Sequence, residues 1–472
     1  MKGIAVFTAA LILLLLPTAA AEEAAIYTVK MNYEMINAGG NEAMNVRATI
    51  YLFDNISGWA EQTIISEEIL LEGALIFPHI FEGAENRWTT IEVGDLKPGE
   101  RKVISATQVI KVKSVGLSIE PSNVGSVMPP EVEELTEPVP GLFESDDPRI
   151  QQLAMQLTSG ITNPYLKLER ILRYVAENLV YERQTEEHGA LWALLNGKGD
   201  CTEFSNLMIA LARAAGIPAK AVVGYAYLPI YEENPQDTLS LGHEYAIFYM
   251  PGYGWVPADA VWPRYGGTVG KTDHYRIAGI ATDGRGVVSD QGRISWPGPG
   301  YLHREWNYVS GRPTNVTGET SMELQPDVLI RLDLNAGGSI ENDMLPLQMT
   351  IKNAGRRDVE NLRVEFDVDV KKFQVMEPLP EIDRLAGGEE ITLSHSVRVL
   401  ENGYGSSSTL SSTVTFDPVY QGAKGFSTSA TVSVNISPKP ELPVSLLDPL
   451  LLAVGIGVVL GGLIGALIAA KR

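Results

Sequence analysis

Cysteine is almost absent from this sequence. Cys201 is the only one among 472 residues, so no disulfide can form within the chain. In an exported protein a single thiol indicates either pairing with another molecule or chemistry at the sulfur. The alternative is a small buried apolar residue, because free cysteines are often buried and inert.

Basic and metal-binding side chains are also scarce. Lys and Arg number 37 against 58 Asp and Glu, which gives a formal net charge of −21. This balance argues against nucleic acid as a partner, since phosphate binding needs clustered cations. The six His form no close ligand pair, and Cys201 has no C-x-x-C partner. With neither a phosphate-binding glycine loop nor a calcium loop, the sequence predicts no metal and no cofactor.

Long hydrophobic runs occur only near the two ends. A basic start, the apolar residues 4–16 and an Ala-x-Ala site predict a secretory signal over residues 1–21. Residues 449–470 are almost wholly apolar and long enough to span a bilayer, and Lys471 and Arg472 follow them. Because basic residues mark the cytoplasmic side, we expect a single-pass protein of the cell membrane with its bulk outside.

Export would give two sets of residues a role. Three N-x-S/T sequons are candidate glycosylation sites. Their acceptors are Asn55, Asn315 and Asn435. Gly457, Gly461 and Gly465 recur every fourth residue, so they share one face of the predicted membrane helix and form a candidate homodimer face. The alternative is that glycine is simply frequent in membrane helices.

The N-terminal part of the chain has the pattern of β-strands. Residues 46–52 and 103–112 alternate between apolar and polar side chains, and residues 97–100 form a turn signal. We therefore predict a β-sandwich over residues 22–128. Residues 129–144 hold four prolines among acidic side chains, which predicts a linker or a strap over the next domain.

The C-terminal part repeats the strand pattern. Residues 320–437 predict a second, Ig-like sandwich, and residues 438–448 predict a stiff stalk. Within that sandwich, residues 347–352 and 362–368 are expected to form one hairpin around a turn at residues 353–355. The domain between the two sandwiches, residues 145–312, opens with helices of which Asp147 is the first N-cap.

The stretch around Cys201 follows a glycine-rich loop and opens a helix over residues 201–215. Its apolar positions recur at helical spacing. They are Phe204, Leu207, Met208, Leu211 and Ala215. Asp200 as N-cap and Glu203 three residues later complete a capping box. The thiol then lies in the first turn, where the positive end of the helix dipole favours the thiolate, its reactive form.

A histidine and an aspartate are expected to meet across a β-hairpin. Residues 243–249 and 255–259 have the pattern of two strands joined by a glycine-rich turn. If the hairpin is symmetric about Pro251, His243 and Asp259 lie directly opposite, about 5 Å apart at Cβ. Such an aspartate fixes the imidazole tautomer and stabilises the imidazolium. The alternative is an exposed histidine and an aspartate used for turn chemistry.

Taken together, these residues resemble the transglutaminase-like superfamily. The resemblance covers residues 145–262, and its specificity comes from the shared order and spacing of several motifs. They are Gly199-Asp200-Cys201, Phe204, Ala210-Leu211-Ala212-Arg213-Ala214-Ala215-Gly216-Ile217-Pro218-Ala219, Gly224-Tyr225, His243 and Gly252-Tyr253-Gly254-Trp255-Val256-Pro257-Ala258-Asp259. The resemblance implies a papain-like core, in which the cysteine helix packs on an antiparallel sheet.

The resemblance also implies a role for each reacting residue. By position, Cys201 is the nucleophile, His243 the general base and acid, and Asp259 the orienting carboxylate. For the oxyanion, the backbone N–H of Cys201 is a natural donor. The second donor is unassigned, and Trp192 is a candidate by its proximity in sequence.

Two departures from the family pattern stand beside these residues. Glu244 and Tyr245 follow the histidine, where the family often has alanine and an aromatic residue. Ala260 and Val261 follow the aspartate, where proline and threonine are common. We expect neither departure to touch the three reacting side chains.

The resulting fold prediction is a multidomain α+β protein. A papain/transglutaminase-like core is flanked by two β-sandwiches, and one C-terminal transmembrane helix anchors the chain. The expected reaction is acyl transfer from a peptide or glutamine amide to Cys201, followed by transfer to water or to an amine. Hydrolysis is slightly favoured because no second-substrate site is recognisable. The rival is a surface binding or adhesion protein without catalysis, against which the complete triad argues.

Overall fold

The computed structural model describes most of the chain. The described residues are 22–82, 86–227, 242–261, 269–285, 287–288, 294–295, 304–309, 314–337 and 339–439. The predicted signal peptide and the predicted membrane segment, with Gly457, Gly461 and Gly465, lie outside them. Within the described residues, no helix has both the length and the apolar character needed to cross a membrane.

Eight strands come first in the chain. They are β1 (Glu22–Asn37), β2 (Ala43–Leu52), β3 (Glu61–Leu71), β4 (Ala74–Ile76), β5 (Ile80–Glu82), β6 (Arg87–Leu96), β7 (Arg101–Lys113) and β8 (Val115–Gly116). From Tyr27 onward, β1 alternates between buried and partly exposed residues to its end. This period of two is the one expected of a strand with a single buried face. The sequence-predicted strands at 46–52 and 103–112 fall within β2 and β7.

The middle of the chain contains the helices. Its elements are α1 (Pro130–Glu133), α2 (Pro148–Thr158), α3 (Pro164–Asn178), β9 (Val180–Tyr181), α4 (Ala190–Asn196), β10 (Lys198–Gly199), α5 (Cys201–Ala214), β11 (Ala219–Ala226), β12 (Gly242–Met250), β13 (Gly254–Ala258), β14 (Lys271–Thr272), β15 (Arg276–Thr282), β16 (Val287–Val288), β17 (Ile294–Ser295) and β18 (Arg304–Val309). The predicted N-cap of α2 is confirmed, since Asp147 accepts a hydrogen bond from the Arg149 N–H.

Nine further strands complete the described chain. They are β19 (Val316–Val328), β20 (Ile330–Ala336), β21 (Met344–Asn353), β22 (Val359–Asp367), β23 (Phe373–Val375), β24 (Ile382–Leu385), β25 (Glu390–Val399), β26 (Ser407–Pro418) and β27 (Phe426–Asn435). The first of them, β19, pairs with the N-terminal strand β1, and the other eight form the C-terminal sandwich.

The N-terminal sandwich is closed by strands from far along the chain. Its two layers follow the orders β4-β3-β7-β1-β19 and β5-β6-β2-β18. β19 pairs antiparallel with β1, from Ile26 opposite Val328 to Asn37 opposite Val316. β18 pairs with β2. This arrangement differs from the expected boundaries, which place 304–312 in the catalytic domain and 320–328 in the C-terminal sandwich. The helical domain is therefore inserted into the N-terminal sandwich.

The C-terminal sandwich has layers β20-β21-β25-β23 and β24-β22-β26-β27. The predicted hairpin at 347–368 is wrong, because β21 and β22 belong to different layers. The reason lies at the bend, where the N–H groups of Ala354 and Gly355 donate to the carbonyl of Leu329 at 2.8 and 3.2 Å. These bonds carry the chain across to the other layer instead of turning it back. A short parallel pairing of β1 with β27 joins the two sandwiches.

The helical domain is built on a four-stranded antiparallel sheet of order β13-β12-β11-β15. α5 packs on one face, where small residues such as Ala219, Ala221 and Ala246 allow a close approach. The other face packs against the N-terminal sandwich around Trp59. Residues 129–144 form a strap on this domain, since Phe143 is 1% exposed within its core. Of the two predictions for this segment, this packing supports a strap and not a linker.

Candidate active site

Cys201 is the first residue of α5 and is 6% exposed. The predicted capping box is confirmed. The Asp200 carboxylate accepts the Thr202 N–H at 3.0 Å, and Glu203 accepts the Asp200 N–H at 2.8 Å. Gly199 makes this possible, because a Cβ there would lie 2.2 Å from the Glu203 Cβ. The cap therefore fixes the helix start, and with it the thiol at the positive end of the helix.

His243 and Asp259 form a buried hydrogen-bonded pair. The His243 Nε2 lies 2.7 Å from the Asp259 Oδ2, and each residue is 6% exposed. The Cys201 thiol is a second hydrogen-bond partner of the imidazole. Since Nε2 contacts the carboxylate, Nδ1 is the ring nitrogen that remains for the sulfur. The structure thus brings together the three residues that the sequence analysis singled out.

The register of the hairpin that carries the pair differs from the prediction. Met250 pairs with Gly254 and Tyr249 with Trp255, so the turn is centred on Gly252 and not on Pro251. Gly252 and Gly254 have φ of 93° and 76°, a backbone region that glycine adopts without strain. The shift displaces each pairing by two residues. Because side chains alternate with period two, His243 and Asp259 stay on one face and meet diagonally.

Asp259 is held by two further donors. The Arg276 guanidinium donates to its Oδ2 at 2.7 Å, and the backbone N–H of Val261 donates to its Oδ1 at 2.9 Å. Arg276 is 4% exposed and heads β15. Sequence reasoning missed this residue because it left residues 264–310 unassigned. The available signal was the apolar stretch 277–281, which has the pattern of a buried strand with an arginine at its start.

The pair holds opposite charges. Burial lowers the pKa of His243, but the charge and hydrogen bond of Asp259 and the contact with Cys201 raise it to about 9. Burial raises the pKa of Asp259, while the charge and hydrogen bond of His243, the charge of Arg276 and the Val261 N–H lower it to about 2. At neutral pH the site therefore holds an imidazolium, able to donate a proton, beside a carboxylate.

Acidic side chains surround the other side of the thiol. Burial raises the pKa of Glu244 well above its ordinary value, and the negative charges of Glu187, Cys201, Asp200 and Glu203 add to this effect. The charge of Cys201 therefore acts on Glu244, and the expectation that Glu244 does not touch the reacting side chains stays a prediction. The alternation of side chains along β12 explains this position. Glu244 lies on the same face of the strand as Ala246 and Phe248, which pack with α5.

Glu187 is the second acid with a strongly altered titration. Burial raises its pKa to about 6, with the charges of Glu203 and Asp200 adding to the rise and a hydrogen bond to Asn206 opposing it. Its loop is tied to the start of α5, since the N–H groups of Gln184 and His188 donate to Asp200 and Glu203. The acids on this side thus form one connected cluster.

The remaining candidate residues are Trp192 and the three sequon asparagines. The Trp192 ring stacks on His188 with ring centres 4.0 Å apart, and its assignment as an oxyanion donor stays a prediction. Asn55, Asn315 and Asn435 are exposed. Within the described part of the chain, no cluster of three His, Cys, Asp or Glu side chains could hold a metal ion.

Comparison with family models gives this domain an assignment. Residues 151–260 match the model described as the transglutaminase-like superfamily. The chain carries a transglutaminase-like domain. The matched residues include Cys201, His243 and Asp259, so the buried pair and the thiol all belong to the transglutaminase-like domain.

Two curated relatives match part of the chain at low coverage. An uncharacterized protein of Haemophilus influenzae is 33% identical over 120 residues, which are 21% of this chain and 32% of that protein. Uncharacterized protein YebA of Bacillus subtilis is 28% identical over 122 residues, 23% of this chain and 17% of that protein. The chain therefore spans about a third or less of the length of these relatives.

Three solved structures are similar at low identity. A protein of Cytophaga hutchinsonii, provisionally called a cysteine protease, is 20% identical with a TM-score of 0.39, covering 64% of this chain and 91% of that one. The periplasmic domain of TgpA from Pseudomonas aeruginosa is 14% identical with a TM-score of 0.24, covering 48% of this chain and 91% of that one. Red sea bream transglutaminase is 9% identical with a TM-score of 0.24, covering 84% of this chain and 93% of that one. Scores at this level carry no inference about the fold or activity of this chain.

Proposed function

We propose that the transglutaminase-like domain is a thiol acyl-transfer enzyme acting on peptide or glutamine amides. The observation that carries the proposal is the 2.7 Å hydrogen bond between His243 and Asp259, with the Cys201 thiol hydrogen-bonded to the same imidazole. A buried imidazole held between a thiol and a carboxylate is the arrangement that activates a cysteine nucleophile. The buried-residue alternative for Cys201 gives no reason for these two partners.

Each residue has one task in the proposed reaction. The thiolate of Cys201 adds to the carbonyl carbon, the C–N bond then breaks, and the amine leaves with the proton of His243. This yields a thioester on Cys201. Water or a second amine then attacks the thioester, passes a proton to the imidazole and expels the thiolate. Asp259 keeps the imidazole oriented and its charge stabilised throughout.

The acceptor decides whether the protein is a protease or amidase, or a transglutaminase. We propose hydrolysis as the main outcome, on the ground that no second-substrate site is recognisable in the sequence. The test uses the full-length protein in detergent with fluorescent casein, with and without dansylcadaverine. Hydrolysis gives smaller casein fragments, whereas transamidation attaches the dansyl group to intact casein.

Active-site variants make this assay decisive. Cys201→Ala removes the nucleophile, so neither product should form, and mass spectrometry of the wild type should find the acyl group on Cys201. Casein products formed equally by the wild type and Cys201→Ala would exclude thiol catalysis. That result would favour the rival reading, a binding or adhesion protein that uses the same fold.

We also propose that the enzyme acts at the cell surface. The proposal is supported by the apolar segments 4–16 and 449–470, the basic residues that follow the second, and the exposure of the three sequon asparagines. Protease added to intact cells should digest residues 22–440 and spare a short anchored tail. Protection of the whole chain would exclude this orientation.

The glycine face of the predicted anchor gives a further proposal, a homodimer in the membrane. Gly461 is the central glycine, and close packing of two helices there requires a small side chain. Energy transfer between labelled anchors should fall in Gly461→Ile. Equal transfer in both would mean that the glycine face does not drive association of the anchors.

A further inference from the structure

Glu244 is a buried acid with one oxygen left unpaired. The residue follows His243 on β12 and is 6% exposed. Its Oε1 is buried and has no hydrogen-bond partner among the described residues. Leaving a buried polar atom unpaired destabilises the folded state, so such an atom in a folded protein calls for an explanation.

The neighbouring acids have structural tasks, which Glu244 lacks. Asp200 accepts N–H groups from Gln184 and Thr202, and Glu203 accepts those of His188 and Asp200. Glu187 is bonded to Asn206. Each of these carboxylates ties the 184–188 loop or the helix start in place. The Oε1 of Glu244 takes no part in this network.

The surroundings keep Glu244 protonated. The groups whose charges act on it are Glu187 from the loop and Asp200, Cys201 and Glu203 from the start of α5. A carboxylate without a bonded cation, placed in a dry site beside other negative charges, takes up a proton. A neutral carboxyl carries one O–H group, so Glu244, the residue that follows His243, can act as a hydrogen-bond donor.

We propose that Glu244 is a catalytic residue that donates its O–H to the acyl oxygen of the substrate in the tetrahedral intermediate. It would be the second donor, acting beside the backbone N–H of Cys201. A carboxylic acid kept neutral by an apolar site is known to serve as an oxyanion donor in other enzymes. This inference rests on the proposed acyl transfer, because only that reaction creates an oxyanion here.

The proposed step balances without a further reagent. The thiolate forms the S–C bond, and the electron pair of the C=O π bond moves to the oxygen. That oxygen accepts hydrogen bonds from Glu244 and from the Cys201 N–H, and neither donor gives up its proton. When the intermediate collapses, the C=O bond re-forms and the amine leaves with the proton of His243.

Two probes of the same sulfur separate this role from others. Acylation by p-nitrophenyl acetate passes through an oxyanion, whereas alkylation by iodoacetamide displaces iodide and develops none. Loss of one oxyanion donor typically lowers the rate about 10²–10³-fold, so Glu244→Ala should slow acylation by that factor. Alkylation should stay within about threefold, since the thiol and His243 are untouched.

The conservative variant should rescue the reaction. Glu244→Gln keeps an N–H donor of similar length, so acylation should stay within about tenfold of the wild type. Glu244→Met, which has similar length and no donor, should behave like Glu244→Ala and replaces it if alanine unfolds the protein. Glu186→Gln, at an exposed carboxylate in the neighbouring loop, is the matched control and should change neither rate.

Each contrary outcome overturns the proposal. Normal acylation in both non-donor variants would mean that Glu244 donates nothing. An equal fall in acylation and alkylation would place its effect on the thiol, and a Gln variant as slow as the Met variant would show that the carboxyl acts through its charge. If the wild type is alkylated at Cys201 but never acylated, the proposed function fails, and this inference fails with it.

Discussion

The ionisable groups on the two sides of Cys201 differ in whether they are paired with a group of opposite charge. On one side, His243, Asp259 and Arg276 are all buried, and each lies within 2.7 Å of a partner of opposite sign. On the other side, the buried Glu244 and the half-buried Glu187 lie among like charges, and both pKa values are raised. The difference shows that an ionisable group keeps its charge where a partner of opposite sign is bonded to it, whereas neighbours of the same sign shift its pKa toward the uncharged form.

This contrast gives one small site two kinds of donor. The paired side holds an imidazolium, which can deliver a proton to a leaving amine. On the acidic side, Glu244 is the proposed donor, because a protonated carboxyl donates a hydrogen bond without losing its proton. Environments that push the pKa values of neighbouring groups apart are a known means of assigning separate roles to them.

The largest effect should come from breaking the charged pair. Asp259→Asn leaves the imidazole without a carboxylate, so we expect acylation by p-nitrophenyl acetate to fall about 10⁴-fold. Circular dichroism should show the fold retained. Asp146→Asn, at an exposed carboxylate, is the matched control. A loss of less than about tenfold would remove Asp259 from the site.

Removing the second partner of Asp259 should mainly cost stability. Arg276→Met leaves Asp259 and Asp273 buried without this cation, and breaking a buried pair in this way typically costs about 3–5 kcal/mol. Urea unfolding followed by tryptophan fluorescence measures the change. Arg285→Met, at an exposed arginine, should cost less than about 1 kcal/mol. Equal losses in the two variants would mean that burial of the pair is unimportant.

The pH dependence should reveal the charge on His243. Its pKa is raised to about 9, so the imidazolium persists as pH rises through neutrality and is lost only above that value. Acyl transfer should therefore decline on the alkaline side with a midpoint near 9. In Asp259→Asn the midpoint should move toward the ordinary histidine value of about 6.5. A midpoint that is the same in both proteins would assign the decline to another group.

The smallest effect tests the acidic side and has the opposite sign. The pKa of Glu187 is raised to about 6, so its ionisation opposes folding at pH 7. Glu187→Gln should stabilise the protein at pH 7 by at most about 1 kcal/mol, after allowance for partial exposure. The gain should vanish as pH falls from 6 toward the ordinary value of 4.5, where the native carboxyl is protonated. Destabilisation at pH 7 would mean that the ionised Glu187 carboxylate favours folding, contrary to the effect expected of its like-charged neighbours.

Local patterns predicted the nucleophile better than its surroundings. The capping box and the apolar spacing of α5 lie within fifteen residues, so the helix start at Cys201 follows from sequence. The hairpin register was displaced by two residues, yet the period of two kept His243 and Asp259 on one face. A displacement by one would have separated them.

Contacts between distant segments were not predictable in this way. Arg276 reaches Asp259 because β15 joins the far edge of the sheet, and nothing in the local sequence specifies that position. Glu244 was visible as a departure from the family pattern, but its chemistry depends on acids brought in by α5 and the 184–188 loop. The pairing of β18 and β19 with the first sandwich is non-local for the same reason.

The insertion of the transglutaminase-like domain has a consequence for biosynthesis. A ribosome releases β1 early, but its antiparallel neighbour β19 emerges only after the whole thiol domain. Until then one long edge of β1 is open, and open edges invite pairing with other chains. A thiol domain that folds as a compact unit brings its two ends together and so shortens the search that β19 must make. In a nascent chain, the transglutaminase-like domain thus serves as the loop that closes a β-sheet.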